Sequence, residues 1–259
     1  NPSLVEIRKY FNTYYVPNNM GVIMSGDFNP DEMIKKVDAT FSYMQNKAVP
    51  KYTFQPEQPI ASPILSEVVG PDAESVTIGF RLPGNKSKDV LLADLVGQIL
   101  TNGKAGLMDL NLVKKQKLLG ASASVFTLID YGIMYMQGRP TLGQSLDDVK
   151  ALMLGEIENL KKGNFDDNLI TSIINNQKKN KILATESYGS RANDLMDAFT
   201  SELDWQEQVA YTDQLSKLTK NDIVAFANKY FGDNYVCILK RKGEDKNIVK
   251  VEKPPITPV

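Results

Sequence analysis

The sequence predicts an α+β fold: a mainly antiparallel sheet with helices packed on one face. Three observations predict it. Strand-like and helix-like segments follow one another as a meander rather than in strict β–α–β alternation. Two strand-like stretches, residues 119–127 and 131–137, are separated by a short turn near Ile129-Asp130 and read as a hairpin. Several longer stretches carry apolar residues at the three- and four-residue spacings of amphipathic helices.

The elements follow in order. Leu4, Ile7, Tyr10, Phe11 and Tyr14 stand at helical spacing, and Pro17-Asn18-Asn19 stops that helix. The aromatic stripe Tyr10, Phe11, Tyr14 and Tyr15 is expected to be core. Residues 20–25 read as a strand. Asn29 as N-cap and Pro30 at the first helical position open a second helix running to residue 44. Residues 46–63 hold Pro50, Pro56, Pro59 and Pro63 without periodicity, a semi-extended linker. Strands at 64–69 and 75–82, a helix at 89–100, a break at Gly103 and Gly106, and a helix at 107–117 come next. After the hairpin, helices are predicted at 146–162, 166–185, 187–201, 205–215 and 221–230, then a closing strand at 234–239. Trp205 reads as a packing anchor. Met134 and Met136 alternate in a strand and belong to one buried face.

Composition excludes more than it assigns. The chain has 259 residues, 42% hydrophobic and 24% charged, with a net charge of −1. That balance gives no pull toward nucleic acid or an anionic membrane, and no apolar run approaches a membrane span. No signal peptide is visible, and the start at Asn1-Pro2 rather than Met suggests a fragment or processed product. The single Cys237 lies in an apolar run and reads as a buried structural thiol.

There is no histidine. Serine triads, Cys–His dyads and His-based acid–base chemistry are therefore excluded, as are the usual zinc sites. The glycines from Gly97 to Gly106 lack the Gly-Lys-Ser/Thr ending of a phosphate loop. Asp147-Asp148 and Asp166-Asp167 resemble carboxylate pairs, but each stands where a helix begins and acids favour its dipole.

The two ends of the chain resemble each other. Ile7, Tyr10, Asn12, Tyr14, Tyr15 and Asn18 stand over Ile223, Phe226, Asn228, Tyr230, Phe231 and Asn234, always 216 positions apart. Each is a helix, an aromatic pair, a turn with Asn, then an apolar strand, as a tandem duplication would leave.

Tyr14-Tyr15-Val16-Pro17-Asn18-Asn19-Met20 with Gly26-Asp27-Phe28 resembles the close of the first domain of pitrilysin/insulinase-type zinc peptidases. Val76-Thr77-Ile78-Gly79-Phe80-Arg81-Leu82-Pro83 resembles an early strand of the following domain. Residues 95–107 resemble its helix–glycine–helix segment, and Glu186-Ser187-Tyr188-Gly189-Ser190-Arg191-Ala192 its late helical segment. The resemblance covers almost the whole chain. It implies that residues 1–45 end a preceding peptidase-like domain and residues 46–63 are the linker. Residues 64–242 would be a complete non-catalytic insulinase-like domain, and residues 243–259 an extended exit linker.

The family's zinc motif, His-x-x-Glu-His with a downstream Glu, has no place here. No cofactor is expected in this chain, and zinc is expected in an upstream domain. The family's active halves carry an Arg and a Tyr, seven apart, that would stabilise an oxyanion. Those positions fall on Val113 and Gly120, which have no side-chain donor. The resemblance implies a non-catalytic part of a long zinc metallopeptidase, forming the wall of a chamber around a peptide or unfolded polypeptide and contacting the other domains of the same chain. An exposed edge at Leu119, Gly120, Ala121 and Ser122 is the candidate peptide-binding strand; the alternative is that Gly120 and Ala121 fit beneath a packed helix. The alternative role is that of a structural or assembly subunit in an inactive member. A periplasmic or secreted location follows from likeness to long bacterial members.

Overall fold

The structure, a computed structural model, describes residues 3–244. In chain order its elements are α1 (Leu4–Tyr14), a 3-10 turn (Pro17–Asn19), α2 (Pro30–Phe41), β1 (Ile64–Gly70), β2 (Ser75–Pro83) and α3 (Val90–Leu100). A π-helical turn (Asp109–Val113), β3 (Gly120–Thr127), β4 (Tyr131–Arg139), α4 (Leu146–Lys161) and α5 (Asp167–Ala184) follow. The last are α6 (Tyr188–Thr200), α7 (Trp205–Leu215), α8 (Lys220–Tyr230) and β5 (Tyr235–Lys242). The exit linker expected beyond Gly243 lies almost wholly outside the described residues.

Residues divide into two compact units, one of Asn1–Gln58 with Ile174–Gln214 and one of Pro59–Ile173 with Leu215–Val259. The second unit holds the sheet, ordered β1-β5-β2-β4-β3. β2–β4, β3–β4 and β2–β5 are antiparallel, and only β1–β5 is parallel. β2 and β4 bury alternate residues: Val76, Ile78, Phe80 and Leu82 on one, Met134 and Met136 on the other. Register aligns these with Tyr235, Cys237 and Leu239 of β5, so one face of the sheet forms the core. Helices α3, α4 and α8 pack against it. Close approach of α4 requires Gly138, where a Cβ would fall 2.5 Å from Met153 Sδ and 2.8 Å from Val149 Cγ1. On the opposite face Ile133, Tyr135 and Phe126 stay exposed. Helices on one face of a mainly antiparallel sheet are what the sequence predicts.

In the first unit, Asn29 caps α2 by accepting from the Asp31 and Glu32 amides, with Pro30 at the first position as expected. Lys181 of α5 pairs with Asp194 of α6 at 2.7 Å. Phe199 of α6 lies over Gly21, whose added Cβ would meet the ring at 3.0 Å.

Four expectations change. Residues 20–25 join no ladder, although Met20 has extended angles (φ −127°, ψ 144°). A strand needs a neighbouring edge, and the five-stranded sheet is built from other residues. The helix expected over residues 107–117 is cut short. Its π-helical turn closes with the Lys114 amide donating to the Asp109 carbonyl, and Gln116 then turns left-handed at φ +56°. The stripe Tyr10, Phe11 and Tyr15 is exposed by half or more. Trp205 opens α7 with 45% of its surface exposed, so it anchors little packing.

Candidate functional site

β3 is a lateral strand: among the described residues it pairs with β4 alone. Leu119, Gly120, Ala121 and Ser122 stand at its start. Leu119 is 71% exposed and donates its N–H to the Arg139 carbonyl at 3.0 Å. Gly120 lies opposite Arg139, Ala121 opposite Gly138 and Ser122 opposite Gln137. The phase of the ladder comes from its far end, where the Leu128 N–H donates to the Tyr131 carbonyl at 2.8 Å. Antiparallel bonding alternates. Even-numbered residues of β3 therefore bond to β4, and Ala121, Ala123, Val125 and Thr127 turn their N–H and C=O groups outward.

The side chains at this end are small. A Cβ on Gly120 would meet nothing nearer than Arg139 Cδ at 3.8 Å, an ordinary contact. Packing beneath a helix does not call for glycine there. Helix α3 presses on β3 farther along, where a Cβ on Gly97 would come within 3.2 Å of Val125 Cγ2.

The loop after α3 meets the same strand. Thr101, the extended C-cap of α3 (φ −145°, ψ 129°), donates its hydroxyl to the Ala123 carbonyl at 3.0 Å and accepts from the Ala123 N–H at 2.8 Å. The loop is held from within. Asp109, 9% exposed, accepts from the Asn102 and Gly106 amides at 2.8 and 3.1 Å. The Asn102 side-chain oxygen accepts from the Lys104 and Ala105 amides at 3.0 and 2.9 Å. Gly103 is left-handed at φ +75°, and a Cβ on Gly106 would sit 2.6 Å from the Leu100 carbonyl oxygen, so both glycines are needed. Sequence reasoning saw these glycines as a break and missed Thr101, Asn102 and Asp109. A hydroxyl or amide at a helix end followed by Gly is common, and only its partner strand distinguishes this one.

Val113 ends the π-helical turn and Gly120 begins β3; the two elements pack together. Neither side chain can donate a hydrogen bond to an oxyanion. Asn111 of the same turn is held by Glu156 of α4, whose buried carboxylate accepts from Asn111 at 2.9 Å and Asn159 at 3.1 Å.

Several other acidic side chains cap helices or tie them together. Asp147 and Asp148 open α4: Asp147 pairs with Lys150 at 2.8 Å, and Asp148 trades hydrogen bonds with the capping Ser145. Asp167 pairs with Lys220 at 2.7 Å. One carboxylate oxygen of Asp89 takes both the Lys229 ammonium at 2.8 Å and the Tyr230 hydroxyl at 2.6 Å, tying the start of α3 to the end of α8. These bonds hold the Asp89 carboxyl below its ordinary range and push Lys229 up to about 12. Cys237 is fully buried as expected, and burial pushes its thiol up, away from the reactive thiolate. No cluster of three or more metal-ligating side chains occurs among the described residues. What this region offers a ligand is backbone hydrogen bonding along a narrow, small-residue edge.

Comparison with known proteins identifies the family. Residues 3–177 match the family described as the Peptidase M16 inactive domain. The chain is 28% identical over 238 residues to the zinc protease PqqE of Helicobacter pylori, covering 90% of this chain and 53% of that protein. It thus spans about half the length of that curated relative. The crystal structure of a protease from Helicobacter pylori matches with a TM-score of 0.87 at 25% identity, over 93% of this chain and 60% of that one. The periplasmic protease PqqL from Escherichia coli shares the fold, with a TM-score of 0.72 at 14% identity over 93% of this chain and 28% of that one. The zinc-protease likeness and the inactive-domain match meet in one conclusion: the chain belongs to the M16 peptidase family, the pitrilysin/insulinase group, as its inactive domain.

Proposed function

We propose that this chain is a non-catalytic wall of a peptide-enclosing zinc metallopeptidase and that it anchors peptide or unfolded polypeptide at the start of β3. The observation that carries this reading is the outward backbone pair of Ala121, flanked by Gly120 and Ser122, at the start of a strand that no other described strand covers on its outer side. An extended peptide can pair there without any catalytic side chain. Zinc belongs to an upstream domain of the parent protein, and PqqL, a periplasmic protease, supports a periplasmic location. No described helix is long and apolar enough to cross a membrane.

The same reading assigns residues 1–45 to the end of the preceding domain, 46–63 to the linker and 64–242 to the inactive domain. The exposure of Ile7, Tyr10, Phe11 and Tyr15 supports it, because their counterparts 216 positions on are buried.

The test compares the parent protein with this chain on a pool of unstructured peptides, with and without a zinc chelator. The parent is expected to cleave in a chelator-sensitive way, and this chain to bind peptide without cleaving it. Ala121→Pro is expected to abolish that binding and leave the fold intact, since it removes an N–H that serves no ladder. An inert, metal-free parent would favour the assembly role instead. Peptide binding that survives Ala121→Pro would remove the edge from the proposal.

A further inference from the structure

We infer that the Thr101 hydroxyl is a strand stop, which ends backbone pairing along the β3 edge at Ala123 and so confines an added strand to the Leu119–Ser122 end. This rests on the peptide-anchoring role proposed above and adds the residue that sets its reach.

The argument is one of occupied valences. Of the residues of β3 that the ladder phase turns outward, Ala121 makes no hydrogen bond outside the ladder among the described residues, whereas Ala123 has both groups satisfied by a single side chain. The Thr101 hydroxyl accepts from one group and donates to the other, as the facing residue of a neighbouring strand would. A strand laid along β3 from its open start meets this filled position one pair beyond Ala121. Val125 and Thr127 also turn outward, but they lie past the stop. The plug is rigid because its loop is: Asp109 and Asn102 bond the amides of residues 102 and 104–106, and Gly106 lets the chain turn against Leu100. A hydroxyl on a frayed loop could be pushed aside by a peptide. This one is held by four hydrogen bonds within the loop that carries it. The consequence is a short grip of fixed register, whose strength does not grow with the length of the bound segment.

The test uses the 259-residue chain and unstructured Ala/Lys peptides lengthened one residue at a time, at either end. Binding affinity and residue-resolved amide exchange are read together. For the natural chain, affinity should level off once the peptide spans Leu119–Ala121. The Ala121 amide should slow, with Val125 and Thr127 unchanged. In Thr101→Ala, longer peptides should gain roughly tenfold, the worth of about two net backbone bonds, and the Ala123 amide should gain peptide-dependent protection. Thr101→Ser, which keeps the hydroxyl, should behave as the natural chain. Continued gain with length in the natural chain, with Val125 slowed, overturns the stop. Levelling-off in Thr101→Ala as well overturns the assignment to the hydroxyl. If no peptide slows Ala121 in any variant, the anchoring role itself fails, and that outcome is distinct from the other two.

Discussion

Helices α1 and α8 match in sequence and local geometry, as copies of one repeat would, but differ in burial. They begin and end 216 residues apart, at Leu4–Tyr14 and Lys220–Tyr230. Ser3 and Thr219 cap them, and the next residue past each end, Tyr15 or Phe231, donates its N–H four residues back, to Phe11 or Ala227. The ring pair Tyr10–Tyr14 is 4.7 Å apart at 43°, and Phe226–Tyr230 is 4.7 Å apart at 44°. After α8 the chain enters the sheet as β5, and Ile223 and Phe226 of α8 are buried where the helix packs against α3, α4 and β2. After α1 the equivalent residues 20–25 join no ladder, and Tyr10 is 61% exposed. The helix, its cap and its ring pair are thus encoded locally. The strand and the burial are not; the strand needs a sheet to join, and the burial needs neighbours such as α3 and α4.

The largest effect should separate the two copies. Phe226→Ala removes a ring packed against Phe231 and Tyr230 in the core and should cost about 3–5 kcal/mol in chemical denaturation. Tyr10→Ala, its counterpart, should stay within about 0.5 kcal/mol. A comparable loss at Tyr10 would break the comparison, because it would mean that α1 is covered in solution.

The caps give a smaller contrast. Thr219 and Asp222 form a reciprocal capping box, with Thr219 accepting from the Asp222 amide and Asp222 accepting from the Thr219 N–H at 2.8 Å. Ser3 makes one bond, from the Val5 amide at 3.2 Å. Thr219→Ala should lower stability by about 1 kcal/mol. Ser3→Ala should be nearly silent in the same global unfolding curve, because fraying of an exposed helix does not report there. Equal losses would show that both copies unfold as one cooperative body.

The comparison also explains what could be read from sequence. Asn29-Pro30 marked the start of α2, the hairpin was legible from its turn, and Met134 and Met136 marked the buried face. Each is a local or period-two signal. The parallel pairing of β1 with β5 was not legible, because Ile64 meets Val236 and nothing near either residue encodes the other. The exposed stripe on α1 was misread as core for the same reason: amphipathic spacing announces an apolar face, not what covers it. At the candidate site, the small residues from Gly120 to Ser122 suggested an edge, and β3 is one. Thr101 could not be found, because its role exists only through Ala123, a residue in another element.

The smallest effect is electrostatic and belongs to the buried copy alone. Lys229 bonds Asp89, whereas position 13 of the first copy is Thr13, whose hydroxyl turns back to the Lys9 carbonyl. The Asp89 bond raises Lys229 from 10.5 to about 12 on folding, so its contribution is fully present below 10.5 and fades as pH rises through about 12. Asp89 is lowered from 3.8, by Lys229 first and Tyr230 second; its contribution is present above 3.8 and fades as pH falls through the depressed value. Asp222 is likewise lowered from 3.8 by its bonds with Thr219 and fades in the same acid range. Denaturation midpoints measured across pH should therefore fall on the acid side through these carboxylates, and on the alkaline side first through the buried Cys237 thiol and the Tyr230 and Tyr235 hydroxyls, all raised from their ordinary values, and then through Lys229. Lys229→Met should remove the alkaline decline attributable to this bond and soften the acid one, while Asp222→Asn should soften only the acid one. An alkaline decline unchanged in Lys229→Met would show that the Lys229–Asp89 bond contributes nothing to holding α8 in place, and that the tie to α3 rests on the Tyr230 hydroxyl.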